Sequence, residues 1–350
     1  MFKKYSLEII VFLTGASVMM MELVGSRVLA PHLGTSIIVW TSLIGIILGF
    51  LSLGYWWGGK IADKNPEWPE FARIILFSGI AVSAIGVVKT PFLSFIQQTI
   101  PDLRLATVVG TVTLFAIPST LLGMVSPYAV KLKMRALANS GETVGELYAI
   151  STVGSITGTF LSGFFLLTHI GNTNLLFLIA LILIATSLIA NRSKYLMMQI
   201  MAIAAVLLAI YLNGAIHRAL AGRSVLDIDT PYQRVLVYDS TDRKTGRPIR
   251  GIVTDQRGTQ SAIFLDSTPD LVFDYAKYYR LADHFRSDIV RGLIIGGAGY
   301  TYPRDFLRQH PTATVDVVEI DPGMTEIARN YFSLTEDPRL IIHHDDGRMF

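Results

Sequence analysis

Apolar residues fall into seven long, nearly unbroken runs over the first two thirds of the chain and into short alternations after that. The runs are residues 7–30, 37–57, 74–93, 105–130, 147–168, 174–190 and 195–212. A helix needs roughly 20 apolar residues to cross about 30 Å of hydrocarbon, so this pattern predicts about seven transmembrane helices. The sixth and seventh are short and are joined by NRSK alone, which predicts a tight helical hairpin. The first run holds Glu22 and Arg27, lacks a small-residue cleavage site and is followed by further runs, so it reads as a span and not as a secretory leader.

From Val225 the period changes. RVLVYD, IRGIVTD and TQSAIFLD read as short strands around the polar turn DRKTGRP, predicting a small antiparallel sheet. Residues 269–285 place Leu271, Phe273, Tyr275, Tyr278, Tyr279 and Ala282 on what reads as a one-faced helix. Then come the strand and Gly-rich turn GLIIGGAGY, a helix over 302–310, the strand TVDVVEID, a helix over 322–332 and the strand RLIIHHD. That β-α-β-α-β order is the opening half of a doubly wound sheet. The expected organisation is a transmembrane helical domain over 1–213, a linker and small β-sheet over 214–288, and the first half of a nucleoside-binding α/β domain over 289–350.

Composition agrees with this division. The 350 residues are 51% hydrophobic and only 16% charged, against about 25% charged in ordinary soluble domains. Charges are sparse before Gly214 and dense after Arg218. The absence of cysteine excludes disulfides, thiolate catalysis and cysteine-ligated metal. A net charge of +3 comes largely from loop residues flanking the spans, so nucleic-acid binding is not indicated. Lys3, Lys4, Lys60, Lys64, Arg73, Lys131, Lys133, Arg135, Arg192 and Lys194 fall on the amino-terminal side, against Arg27, Lys89 and Arg104 opposite, which predicts a cytoplasmic amino terminus in the inner cell membrane. Seven spans then put the soluble part outside, at odds with a cofactor made in the cytoplasm, and the side stays open. The lipid bilayer is the expected partner, and the pattern does not decide between a monomer and a homo-oligomer.

Within the fifth run, Gly154, Gly158 and Gly163 with Ser151, Ser155 and Ser162 predict close-packed helix faces. Glu22 is the one acid well inside a span, either paired with Arg27 near the interface or a contact for a proton or an amine. GYWWGGKIADK resembles the loop after the second helix of major-facilitator transporters. No second transporter half follows, and the segment reads as a tight turn with basic anchoring.

The α/β unit carries the chemistry. Gly296 and Gly297 let the backbone turn sharply at the strand end and approach a ligand. Glu319, about twenty residues on at the end of the second strand, can accept from both ribose hydroxyls. Asp346, after the third strand, is placed to accept from an adenine amine. Asp321 reads as a helix cap, with Pro322 at the first helical position. Dinucleotide binding fits less well, because GGAGYTYP puts Tyr300 and Pro303 where backbone would meet a pyrophosphate. His343 and His344 are adjacent on a strand and point to opposite faces, so no metal site is expected.

DTPYQRVLVYD, the sheet ending in TQS, LIIGGAG, VVEID followed by ARNYF, and DPRLIIHHDDG resemble, in order and spacing, the spermidine synthases or polyamine aminopropyltransferases, over residues 225–350. The multi-span amino-terminal part resembles the fused bacterial members of that family. The resemblance implies a Rossmann-like domain of the S-adenosylmethionine-methyltransferase kind. It also implies decarboxylated S-adenosylmethionine as co-substrate with no tightly bound cofactor, and a small amine such as putrescine as acceptor. By resemblance, Gln233 touches the methionine-derived part, Gly296 and Gly297 form the cofactor turn, Glu319 holds ribose and Asp346 holds adenine.

The sequence departs from the family at three places. GGAGY replaces Gly-Gly-Gly-Asp-Gly, so Gly299 stands where the family has the acid for the aminopropyl amine. Asp274, Tyr275 and Ala276 replace Tyr-His-Glu, with Asp274 or Tyr275 as the remaining polar contacts for an amine. The family's catalytic acid is expected beyond Phe350, so the sequence reads as truncated, with its catalytic residues unassigned. Two other readings stay open: a transferase using S-adenosylmethionine itself, and a non-catalytic membrane transport or sensor protein with a nucleoside-binding domain.

Overall fold

A computed structural model describes residues 5–134, 140–191, 194–220, 225–230, 232–254, 258–266, 268–286 and 288–350. Lys3, Lys4, Arg135, Arg192 and Pro231, used in the sequence reading, lie outside the described residues. The chain divides into two compact units, Met1–Gly214 and Ala215–Phe350.

The first unit is helical. Its long helices are α1 (Ser6–Leu33), α2 (Ile37–Lys64), α3 (Trp68–Thr99), α4 (Leu103–Met134), α5 (Ser140–Leu161), α6 (Asn172–Ala190) and α7 (Leu196–Leu220). Among the described residues, seven segments are long and apolar enough to cross a membrane. Several outrun the predicted runs, because polar residues at their ends continue the helix without adding hydropathy.

Neighbouring pairs are α2 with α4, α1 with α5, and α3 with α6 and α4. Small residues allow the close approaches. A Cβ on Gly158 would lie 2.5 Å from the Ala16 carbonyl oxygen, and one on Gly58 2.5 Å from the Met124 Cα. Gly154 packs on Phe12 in the same way, and Ser155 Oγ donates to the Gly15 carbonyl at 3.2 Å. Gly163 departs from the expected packing stripe. It lies in a π-turn, Ser162–Leu166, and has no neighbour within 4 Å of where its Cβ would be. The expected α6–α7 hairpin is present: Gln199 Nε2 donates to Ser187 Oγ at 3.1 Å, and Asn213 Nδ2 to Asn174 Oδ1 at 3.4 Å. At one end, Lys133 of α4 bridges Glu8 of α1 (2.8 Å) and Glu146 of α5 (2.6 Å), and Lys131 pairs with Asp63 of α2 (2.6 Å).

In the second unit, β1 (Val225–Asp229), β2 (Arg234–Thr241), β3 (Pro248–Val253) and β4 (Ser261–Phe264) form an antiparallel sheet in sequence order. β1 was not resolved from the linker by its pattern, since LDID alternates too briefly. Residues 269–285 do not form one helix. Two four-residue turns of α-helix, Asp274–Lys277 and Ala282–Phe285, flank a 3₁₀ turn, Tyr278–Leu281. The segment starts only after Phe273, and Asp270 instead draws in Arg280 (3.1 Å) and Lys277 (3.6 Å).

The parallel sheet is β5 (Arg291–Ile295), β6 (Thr314–Val318) and β7 (Leu340–His343), with α8 (Thr301–Gln309) and α9 (Pro322–Tyr331) as crossovers. Val315 and Val317 of β6 are fully buried in a core shared with Phe306 and Leu307 of α8 and Ile327 and Ala328 of α9. Val235, Val237 and Ile252 of the antiparallel sheet join that core, so both sheets belong to one unit. On the other face of β6, Asp316 pairs with Arg291 (3.1 Å) and His343 (2.8 Å).

Candidate nucleoside site

The turn after β5 is built of left-handed backbone. Gly296 has φ 91°, and the non-glycine residues Ala298 and Tyr300 have φ 45° and 53°. L-residues in that region cost on the order of 1 kcal/mol each, so surrounding contacts must hold the turn. One contact is the Tyr300 side chain, which is fully buried. Its ring lies where a Cβ on Gly297 would be, 2.5 Å from Cε2, and its hydroxyl bonds to Thr325 Oγ1 of α9 at 2.7 Å. The buried ring therefore packs directly against the turn and supports it. Burial pushes the Tyr300 phenol up to about 12.

The second contact is Glu319. Its Oε2 accepts from the N–H of Gly297 at 2.7 Å and of Ala298 at 3.3 Å, and its Oε1 accepts from the N–H of Asp321 at 3.0 Å. Glu319 is 7% exposed. An ionised carboxylate has about four lone-pair positions, and three backbone donors leave capacity for a hydroxyl. The geometry thus joins the turn glycines and the expected ribose acid directly.

Asp321 does more than cap α9. It accepts from Gly323 N–H at 3.0 Å, as a cap should, but its other oxygen accepts from the Thr230 hydroxyl at 2.5 Å, and Thr230 Oγ1 in turn accepts from the Gln233 N–H at 3.0 Å. The residue is 0% exposed, and burial is the main cause that raises its carboxyl above the ordinary range. Gln233 is therefore tied by its backbone to Thr230, and through Thr230 to Asp321. No local pattern could have exposed this link, because Thr230 and Asp321 are 91 positions apart.

Asp346 lies beside the same strand end. A Cβ on Gly347 would meet Ile295 Cγ2 at 2.6 Å, which packs the 345–347 turn against the residue preceding Gly296. Its carboxylate is held by Arg348 in a two-pronged pair and is drawn down to about 2 by that hydrogen bond. It is ionised and half-buried, but is not joined to Glu319. His344 Nε2 bonds to Thr325 Oγ1 at 3.0 Å, on the opposite side of the sheet from His343 and Asp316.

At the expected amine end, a Cβ on Gly299 would lie 2.7 Å from Ser261 Oγ and 3.1 Å from Phe332 Cδ1. Close packing thus occupies the place of an acidic side chain. Asp274 pairs with Lys244 and lies 3.7 Å from Lys277, while the Tyr275 hydroxyl donates to the Gln260 carbonyl at 2.5 Å.

No protein-family model matches the chain. Over 62 residues it is 39% identical to a polyamine aminopropyltransferase of Alkaliphilus metalliredigens (strain QYMF), an alignment covering 17% of this chain and 22% of that protein. It is also similar to a probable spermidine synthase from Corynebacterium glutamicum, solved by crystallography. There the identity is 26% and the TM-score 0.28, covering 33% of this chain and 43% of that one. The chain therefore shares weak, partial homology with the aminopropyltransferases, spanning less than a quarter of the curated relative's length.

Proposed function

We propose that this chain is a membrane-embedded, spermidine-synthase-like aminopropyltransferase whose second unit holds the nucleoside end of decarboxylated S-adenosylmethionine. The observation that carries the reading is the seating of the Glu319 carboxylate on the Gly297 turn, at the end of the strand following that turn. The partial homology to a polyamine aminopropyltransferase supports the same class. In the proposed site Glu319 takes the ribose hydroxyls, Asp346 the adenine amine, and Gln233, tied through Thr230 to Asp321, the methionine-derived chain. An acceptor amine attacks the carbon beside the sulfonium in line. The new C–N bond forms as the C–S bond breaks, methylthioadenosine departs, and the ammonium product gives up a proton. Acidic and dipolar surroundings favour the cationic donor.

The helical unit is read as embedded in lipid. Supporting this, α2, α5, the π-turn after it and α7 turn large apolar residues outward, among them Leu48, Trp56, Phe160, Phe164, Leu207 and Tyr211, which is costly in water and favourable in hydrocarbon.

A second reading, transfer from S-adenosylmethionine itself, is supported by the packing around Gly299, which leaves no acid to repel the carboxylate of that donor. Binding of methylthioadenosine to the purified full chain, compared with Glu319→Ala, tests what both readings share. Loss of binding in the variant is expected, and unchanged binding would refute the site.

A further inference from the structure

A cavity of about 290 Å³ opens between β4, residues 268–271, α8 and Ser333. Gly296, Gly297, Glu319, Gln233 and Asp346 do not line it. Its walls combine apolar surface from Ile263 and Leu271 with Thr268, Thr301 and Ser333, with the two arginines Arg304 and Arg308, and with the two acids Asp270 and Asp305.

The charges there do not cancel. Arg280 grips Asp305 with two hydrogen bonds of 2.8 Å and reaches Asp270 at 3.1 Å. Arg308 also pairs with Asp305, and Lys277 stands 3.6 Å from Asp270. Asp270 and Asp305 are thus already matched by Arg280 and Arg308, with Lys277 shared between Asp270 and Asp274, before Arg304 is considered. Among the described residues no carboxylate is in ion-pair contact with Arg304. Its Nη1 donates to the Phe332 carbonyl at 2.6 Å, and Arg308, one helical turn away, is a like charge. Burial first, and Arg308 second, hold its guanidinium below its ordinary value. Arginine stays protonated in proteins, and a partly buried cation without a counter-charge is costly.

We propose that this cavity binds a small organic anion, its carboxylate or phosphate group held by the Arg304 fork and the neighbouring hydroxyls, and its apolar body set against Ile263 and Leu271. The volume lies at the small end of ligand pockets, and a planar guanidinium facing oxyanions is a strong, directional contact. The site is separate from the nucleoside turn and does not depend on that reading.

The test is calorimetric titration of the detergent-solubilised full chain with inorganic phosphate and with succinate, at constant ionic strength set by chloride. Saturable binding of phosphate assigns a phosphate group, and of succinate a carboxylate. Arg304→Met should weaken the anion about ten- to a hundredfold, the size of one charge-assisted hydrogen bond, and leave methylthioadenosine binding unchanged. Should Arg304→Met fail to fold, Ser333→Ala serves instead, with a roughly threefold to tenfold loss expected from one hydrogen bond. Neither anion binding above chloride, or equal affinity in the wild type and the folded variant, would overturn the proposal.

Discussion

Glu319 Oε2 and the backbone nitrogen of Gly297 lie 2.7 Å apart. One carboxylate thereby fixes the strained turn at the carboxyl end of the central strand of its sheet, where the proposed ribose contact lies. Glu319→Gln keeps one acceptor oxygen and replaces the other with a donor that faces N–H groups. Methylthioadenosine affinity should fall about tenfold, as expected for loss of a charged hydrogen bond, and isothermal titration measures it.

Placing at Gly299 the acid that the resemblance to aminopropyltransferases implies should not create an amine site. A side chain at Gly299 must displace Ser261 and Phe332. Gly299→Asp is expected to lower stability by about 1–3 kcal/mol through overpacking, with no gain in amine binding. Denaturant unfolding together with putrescine titration checks both parts.

Asp321 joins Thr230 and Gln233 to the start of α9. Asp321→Ala removes a cap and one acceptor of the Thr230 hydroxyl, which keeps the Gln233 carbonyl, a loss of about 1 kcal/mol. The carboxyl is raised in the folded protein, so its contribution is full below the ordinary carboxylate range and is lost as pH rises through the raised value. Asp321→Asn should flatten that part of the stability profile, read by thermal unfolding across pH.

Tyr300 gives the alkaline counterpart. Its phenol is raised to about 12, so its contribution is intact below about 10 and is lost as pH climbs through about 12. Tyr300→Phe keeps the ring under Gly297 and loses the Thr325 hydrogen bond, costing about 1 kcal/mol. The variant should retain nucleoside binding and lack one late-titrating phenol in an ultraviolet titration.

In the helical unit, Gly158→Leu would drive a side chain into the backbone of α1 at Ala16. The α1–α5 contact should open, seen as a lower melting temperature in detergent, while Gly163→Leu, with open space around it, should have little effect.

Much of this architecture is legible in the sequence, because hydropathy reports helix number and alternation reports strands. The turn at Gly296 and Gly297 and the acid at Glu319 were readable from spacing, and they meet. Other features were not readable. The 269–285 segment looked helical by its aromatics, yet Asp270 competes for Arg280 and Lys277, and the helix breaks into turns. The packing of Tyr300 under Gly297 and its bond to Thr325 were not readable from spacing. The tie from Gln233 through Thr230 to Asp321 depends on residues far apart in the chain. Asp346 fell beside the turn as expected, but its pairing with Arg348 is a local geometry that spacing does not specify.

The most direct test of the central claim is calorimetric titration of the folded, detergent-solubilised full chain with decarboxylated S-adenosylmethionine, alongside S-adenosylmethionine. Saturable binding of the decarboxylated donor in preference to the carboxylated one is the predicted result. Absence of binding by a protein shown to be folded, or preference for the carboxylated donor, would contradict the aminopropyl-donor account.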